Sequence, residues 1–203
     1  MAKSLEQLVY DFFRGLPAYT TDMEDAVKAM IENFAPPVIK KKGAILTELA
    51  PPNKDFWFLY DGFLKEIYKN PFMNEDALFN FIPPASIFVN EDSLFYNKRP
   101  QHYYKAYTNV TIASLSNEKF QELKNKYPAI IKLYLSGTAE IQKNRRSRLL
   151  MLRMSNTQDK IDWVRDQRGD LYKIMDRVTL AQYIGVSRAS LYRAFDKKGK
   201  SQF

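Results

Sequence analysis

The stretch Arg177-Val-Thr-Leu-Ala-Gln-Tyr-Ile-Gly-Val-Ser-Arg-Ala-Ser-Leu-Tyr-Arg-Ala-Phe195 decides how this chain is read. Its spacing predicts two short helices joined by a tight turn. A helix-turn-helix needs a small residue where the helices cross, and Ala181 supplies it. Four residues later the turn needs a left-handed backbone, and Gly185 supplies that. Leu180, Ile184, Val186, Leu191 and Ala194 fall at the inward positions and are all apolar. Ser187 stands at the N-cap of the second helix, and Arg188, Ser190 and Arg193 point away from the inward set.

Such a second helix fits the major groove of duplex DNA, where Arg makes a bidentate contact to guanine O6 and N7. Arg188 and Arg193 are therefore assigned to base edges. Ser187, Ser190 and Thr179 are assigned to the phosphate backbone, and Tyr192 to a phosphate or a thymine methyl. The bland alternative is a helical hairpin packed in a core, with serine as a cap and arginines in solvent.

Charge separates this region from the rest. The chain has 203 residues and a net charge of +8. From Lys143 onward there are 15 Lys+Arg against 6 Asp+Glu, a net +9; the preceding 142 residues are net −1. A basic segment joined to a neutral one points to a polyanionic partner for the basic part.

Working back from the motif, no Pro and one Gly occur between Pro128 and about Arg153, which predicts a helix roughly 39 Å long starting at Pro128. Its seam Ile131, Tyr134, Thr138, Ile141, Arg145, Arg148, Leu152 suits either a dimerising coiled coil or packing against the upstream domain. Ser116 is expected to cap a short helix before it.

From Val38 to Leu115 the pattern is one of short strands: Val38–Lys41, Ala44–Thr47, Phe56–Tyr60, Phe63–Tyr68, Leu78–Ile82, His102–Tyr107 and Thr111–Leu115. Breaks fall at Lys42-Gly43, Pro51-Pro52-Asn53, Asp61-Gly62, Asn70-Pro71 and Pro83-Pro84. Asp61-Gly62 between two apolar runs predicts a type I′ hairpin. Many short strands with tight turns indicate a barrel or roll. Before them, Ser4 and Asp22 are expected to cap two helices.

Several functions are excluded or disfavoured. Without cysteine there is no disulfide, thiolate zinc site or cysteine-held cluster. No apolar run is long enough to span a membrane and no secretory signal is visible, so a cytoplasmic location is expected. Glu91 and Asp92 are read as neighbours on a strand facing opposite ways, and the single His102 completes no triad or metal set, so no enzyme and no cofactor are expected.

The order of parts resembles the CRP/FNR family of transcription regulators. KKKGAILTE with FWFLYDGFLKEIY is similar to that family's opening roll strands, YYKAYTNVTIASLS to its last roll strands, and VTLAQYIGVSRASLYRAF to its DNA reader. The resemblance implies an α+β fold: a double-stranded β-helix or jelly-roll sensor domain over 1–115, a linker and dimerisation helix over 116–153, and a helix-turn-helix domain over 154–203. It implies double-stranded DNA as partner, a homodimer, RNA polymerase as a further candidate partner, and DNA contacts at Ser187, Arg188 and Arg193.

Three departures qualify it. In the stretch matching the family's phosphate-binding cassette, Glu91 stands at the ribose-binding position, but Asn90 replaces the glycine, Pro100-Gln101 replaces Arg-Ser, and Arg99 is off register. A proline removes a backbone donor, so Glu91, Arg99 and Gln101 line a degenerate effector pocket unsuited to cyclic AMP. Ala189 replaces a common recognition Glu, so the operator differs. The sequence ends eight residues past Phe195, so the β wing that usually follows is expected to be missing from it. The alternative to a regulator is a ligand-binding or protein-interaction roll without DNA-binding activity.

Overall fold

Turn chemistry and burial divide the first half of the chain between two antiparallel sheets. The computed structural model describes residues 4–46, 54–69 and 76–200. It falls into two compact units, Met1–Gln142 and Lys143–Phe203.

In the first unit, helices α1 (Leu5–Arg14) and α2 (Glu24–Asn33) precede the strands. Ser4 caps α1 by accepting from Gln7 N, as expected. The Asp22 cap is not formed: a 3-10 turn, Thr21–Met23, leads into α2, whose N-cap is Met23 without a side-chain bond. The strands are β1 (Val38–Lys40), β2 (Phe56–Asp61), β3 (Leu64–Lys69), β4 (Asp76–Ile82), β5 (Ser86–Val89), β6 (His102–Ala106) and β7 (Val110–Leu115). One sheet runs in the order β1-β7-β2-β5 and the other β4-β3-β6. The expected strand at Ala44 is reduced to one bridge, Ile45 to Lys105. Thr47 and the breaks at Pro51-Pro52-Asn53 and Asn70-Pro71 lie outside the described residues.

Asp61-Gly62 does not close a hairpin. β2 pairs with β5 and β7, β3 with β4 and β6, so the turn hands the chain from one sheet to the other. Gly62 is required by both conformation and space: its φ is +82°, and a Cβ there would lie 2.2 Å from the Asn109 carbonyl oxygen. Phe63 then ties to the facing loop, donating to Thr108 Oγ1 at 2.9 Å and accepting from Tyr107 N at 2.8 Å. The chain crosses between sheets again at 83–85, where Ala85 has φ +53°, and at 107–109. These crossings make the roll.

Two features were not foreseen. β5 is buried on every residue and so lacks alternation. Helix α3 (Glu91–Tyr96) stands where a strand was expected, so Glu91 and Asp92 share its first turn instead of facing opposite ways. Asn90 starts it by accepting from Ser93 N through Oδ1.

Ser116 caps α4 (Asn117–Lys126) by accepting from Lys119 N. Helix α5 (Ala129–Leu152) begins one residue after Pro128. Ile130, Leu133 and Tyr134 enter one apolar core with α1, α2, β2 and α4, and Ile141 enters a second core between the sheets. Ile131 packs on the first. Gly137 lets the helix close on α1, its Cβ position being 3.3 Å from the Phe12 ring. The first half of the expected seam thus packs within its own chain, the second of the two readings. The exposed large apolar residues of α5 are Leu135, Leu149 and Leu150, at 57%, 55% and 69%.

The second unit continues with α6 (Thr157–Gln167), α7 (Gly169–Ile174), α8 (Arg177–Ile184) and α9 (Arg188–Lys200). Helices α6, α8 and α9 pack on one another through Ile161, Val164, Leu180, Ala181, Ile184 and Leu191, all buried. Among the described residues no helix is long and apolar enough to cross a membrane.

Candidate nucleic-acid interface

The geometry of the candidate interface begins with Asp176. Its carboxylate accepts from Thr179 N at 2.7 Å and from the Thr179 hydroxyl at 3.0 Å, capping α8. Helix α8 then runs to Gly185, whose φ of +66° and ψ of 44° place it in the left-handed region. Its N–H bonds back to Gln182 O while Val186 N reaches Ala181 O, closing the helix end. A Cβ at Gly185 would also lie 2.9 Å from Leu152 Cδ2. Two residues on, Ser187 Oγ accepts from Ser190 N at 3.1 Å and starts α9.

The expected contact residues divide into two groups. Ser187, Arg188, Tyr192 and Arg193 are exposed on α9 or at its start, and Ser190 is half-buried among them. Arg193 lies along the helix, donating from Nη2 to Ser190 Oγ at 3.2 Å. The hydroxyls of Ser187 and Ser190 are 2.9 Å apart. Thr179 stands outside this surface: it is 3% exposed and its hydroxyl is engaged by Asp176. Its chemistry is that of a cap partner.

Three residues that sequence reasoning did not assign to this region, Arg148 among them as a position of the α5 seam, shape it. The Arg177 guanidinium lies 5.2 Å from the Tyr192 ring centre and 5.4 Å from that of Phe195, joining the start of α8 to α9 through cation–π contacts. Arg148 and Lys160 are buried, and both donate to the C-terminal end of α8: Arg148 to Tyr183 O, Lys160 Nζ to Ile184 O at 3.3 Å. Unpaired carbonyls and the negative end of the helix dipole favour cations there. Burial pushes the Tyr183 hydroxyl pKa up, an effect opposed by the charges of Arg168 and Arg148. Spacing could have flagged Asp176 as an Asp-x-x-Thr cap, and it placed Arg148 on the helix seam, but nothing local marks Lys160 as inward.

The residues assigned to an effector pocket lie around α3. Glu91 is in its first turn, and its charge adds to burial in pushing the Tyr134 hydroxyl up to about 12. Arg99 is exposed, and Pro100 is buried. Gln101 is exposed; its side-chain oxygen accepts from the Tyr68 hydroxyl, and its N–H donates to Asp92 Oδ2 at 3.4 Å. A backbone donor that an anion would need is thus directed at a carboxylate of the same chain. Among the described residues, no group of three or more Asp, Glu and His side chains is placed to hold a metal ion.

No family model and no curated protein sequence matches the chain. Solved structures do. The chain is similar to CLP of Xanthomonas campestris, a c-di-GMP-responsive global regulator, with TM-score 0.68 and 13% identity over 88% of this chain and 93% of that one. It is similar to FixK2 of Bradyrhizobium japonicum, with TM-score 0.62 and 13% identity over 83% and 86%. It is also similar to a mutant of CooA from Carboxydothermus hydrogenoformans, with TM-score 0.61 and 11% identity over 84% and 78%. At these identities the likeness is one of fold: the chain has the α+β fold of CRP/FNR regulators, a cyclic-nucleotide-binding-like roll followed by a C-terminal helical domain.

Proposed function

We propose that the chain is a DNA-binding transcription regulator of the CRP/FNR type, reading duplex DNA as a homodimer through helix α9. The observation that carries this reading is the Gly185–Ser187 corner. A left-handed glycine and a serine cap launch α9 with Arg188, Tyr192 and Arg193 exposed on its surface, in a segment of net +9. Arg188 and Arg193 read base edges, and Ser187, Ser190 and the helix start contact phosphates. Thr179 contributes by holding the cap of α8, and Tyr192, propped by Arg177, contacts a phosphate or a thymine methyl.

Homodimerisation is assigned to the exposed side of α5, where Leu135, Leu149 and Leu150 await cover. RNA polymerase is the further partner such a regulator would engage. The roll is not a cyclic AMP receptor: Pro100 offers no N–H, and the N–H of Gln101 meets Asp92. The site works in a non-enzymatic, cytoplasmic regulator without a cofactor.

Duplex binding followed across salt concentration tests the reading. Phosphate neutralisation makes log affinity fall linearly with log salt. A roll that only binds ligands or proteins would retain no duplex at any salt.

A further inference from the structure

Helix α9 carries basic residues at Arg188, Arg193, Lys197, Lys198 and Lys200 and a single acid, Asp196. Leu191, which is 0% exposed, fixes the inner side of the helix. Successive residues are turned by about 100°. Ala189, Tyr192, Arg193 and Asp196 therefore share the opposite side within an arc of about 100°, with Asp196 near its middle. All four are exposed. The one acid of the helix thus stands at the centre of its outward face, not at the margin.

The basic side chain one turn before Asp196 is directed away from it. Arg193 Nη2 donates to Ser190 Oγ at 3.2 Å and its Nε to Ala189 O at 3.4 Å, both toward the start of the helix. Asp196 presents its carboxylate in a segment of net +9. Set against phosphates, that charge would cost affinity. Set against base edges, it is a hydrogen-bond acceptor. For a helix lying in the major groove the base edges face its outward middle and the phosphates flank it, so the place of Asp196 on α9 selects the bases.

The chemistry of a carboxylate narrows the base. In the major groove the amino donors are cytosine N4 and adenine N6. Adenine sets its N7 acceptor beside N6 and repels a group that can only accept, whereas cytosine presents its amino group without that neighbour. Ala189, seven residues earlier on the same face, ends in a methyl group and offers no acceptor. Arg193 and Asp196 are about 4.5 Å apart along the helix axis. That is close to the roughly 3.4 Å step between bases on a strand, so the two side chains meet neighbouring base pairs.

We propose that Asp196 is a specificity-determining residue of α9, accepting from the N4 amino group of a cytosine next to the guanine read by Arg193. This role rests on α9 being the DNA reader and adds a base identity to it.

The test is selection of duplexes from a randomised library by the full chain, with Asp196→Ala, Asp196→Asn and Arg193→Ala beside wild type. Each variant is first matched to the wild-type circular dichroism spectrum. Wild type is expected to prefer cytosine about tenfold at one position, next to the position whose preference Arg193→Ala relaxes. Asp196→Ala is expected to lose the cytosine preference and keep the others. Asp196→Asn is expected to turn it into a preference for adenine, since an amide bonds N6 and N7 together. The proposal is overturned if both Asp196 variants keep the wild-type profile. It is also overturned if Asp196→Ala tightens binding to all duplexes alike, the mark of a carboxylate facing phosphates. A wild-type profile that depends on Arg193 but not on Asp196 removes this proposal alone; a wild-type chain that retains no duplex removes the DNA-binding reading with it.

Discussion

Arg148 donates from both Nε and Nη2 to the carbonyl oxygen of Tyr183, at 3.1 and 2.8 Å, and its guanidinium lies 4.8 Å from the centre of the Tyr183 ring. A residue of the long helix therefore grips the last turn of α8 two residues before the left-handed Gly185. The bonds are charge-assisted and buried, and they satisfy a helix-end carbonyl that has no intrahelical donor.

Removing that grip leaves the Tyr183 carbonyl buried without its donor. Arg148→Met is expected to destabilise the chain by about 2–4 kcal/mol, the range for charge-assisted bonds plus an exposed desolvation cost. Arg148→Lys restores the charge but not the fork, and should recover part of the loss. Urea unfolding followed by circular dichroism measures both. Equal stability of Arg148→Met and wild type would contradict the contact.

Gly62→Ala and Gly185→Ala should differ in degree. Both residues sit at positive φ, which costs an alanine on the order of 1 kcal/mol. At Gly62 the new Cβ also strikes the backbone oxygen of Asn109, which cannot swing aside. At Gly185 it meets the end of the Leu152 side chain, which can. Gly62→Ala is expected to prevent folding or cost several kcal/mol, and Gly185→Ala about 1–2 kcal/mol. Thermal melts of the two variants rank them, and the reverse order would be inconsistent with the turn geometry.

The α8 cap gives a smaller effect. Asp176→Ala removes the acceptor for Thr179 N and for the Thr179 hydroxyl, and should cost about 1 kcal/mol, as cap losses do. Because Thr179 is buried behind the cap, Thr179→Val should lower stability while changing DNA base preference little. A variant with wild-type stability but relaxed base preference would instead put the hydroxyl on DNA.

Stability should fall at alkaline pH. Tyr103 is pushed up to about 12 by burial and by its hydrogen bond to Asp76 (2.7 Å), and Tyr134 up to about 12 by burial and Glu91. The folded chain holds these protons above the ordinary phenol value near 10, so their contribution is complete below pH 10 and is lost as pH rises toward 12. The urea midpoint should drop across that interval, and less steeply in Tyr103→Phe. A midpoint flat from pH 10 to 12 would contradict both shifts.

How much of this could be read without coordinates depends on whether the signal was local. The Ala181, Gly185 and Ser187 positions were legible because crossing, turn and cap each demand one residue type. Ser4 and Ser116 were legible for the same reason. Asp61-Gly62 was misread as a hairpin because the positive φ is local, whereas the partners of β2 are β5 and β7, far along the chain. Helix α3 was missed because six residues bounded by Asn90 and Asn97 carry too few turns to show a period. The helix seam already placed Arg148 on a packed side, but its partner, the Tyr183 carbonyl, depends on helix packing that no single stretch encodes.

The central claim is tested most directly by fluorescence anisotropy of the full chain on a duplex selected from a randomised library, with Arg188→Ala and Arg193→Ala alongside. Reading through α9 predicts selective binding that weakens linearly in log salt, with each substitution costing about 1–3 kcal/mol and broadening base preference. Full affinity and unchanged selectivity in both folded variants, or no duplex binding by the wild type at any salt, would contradict it.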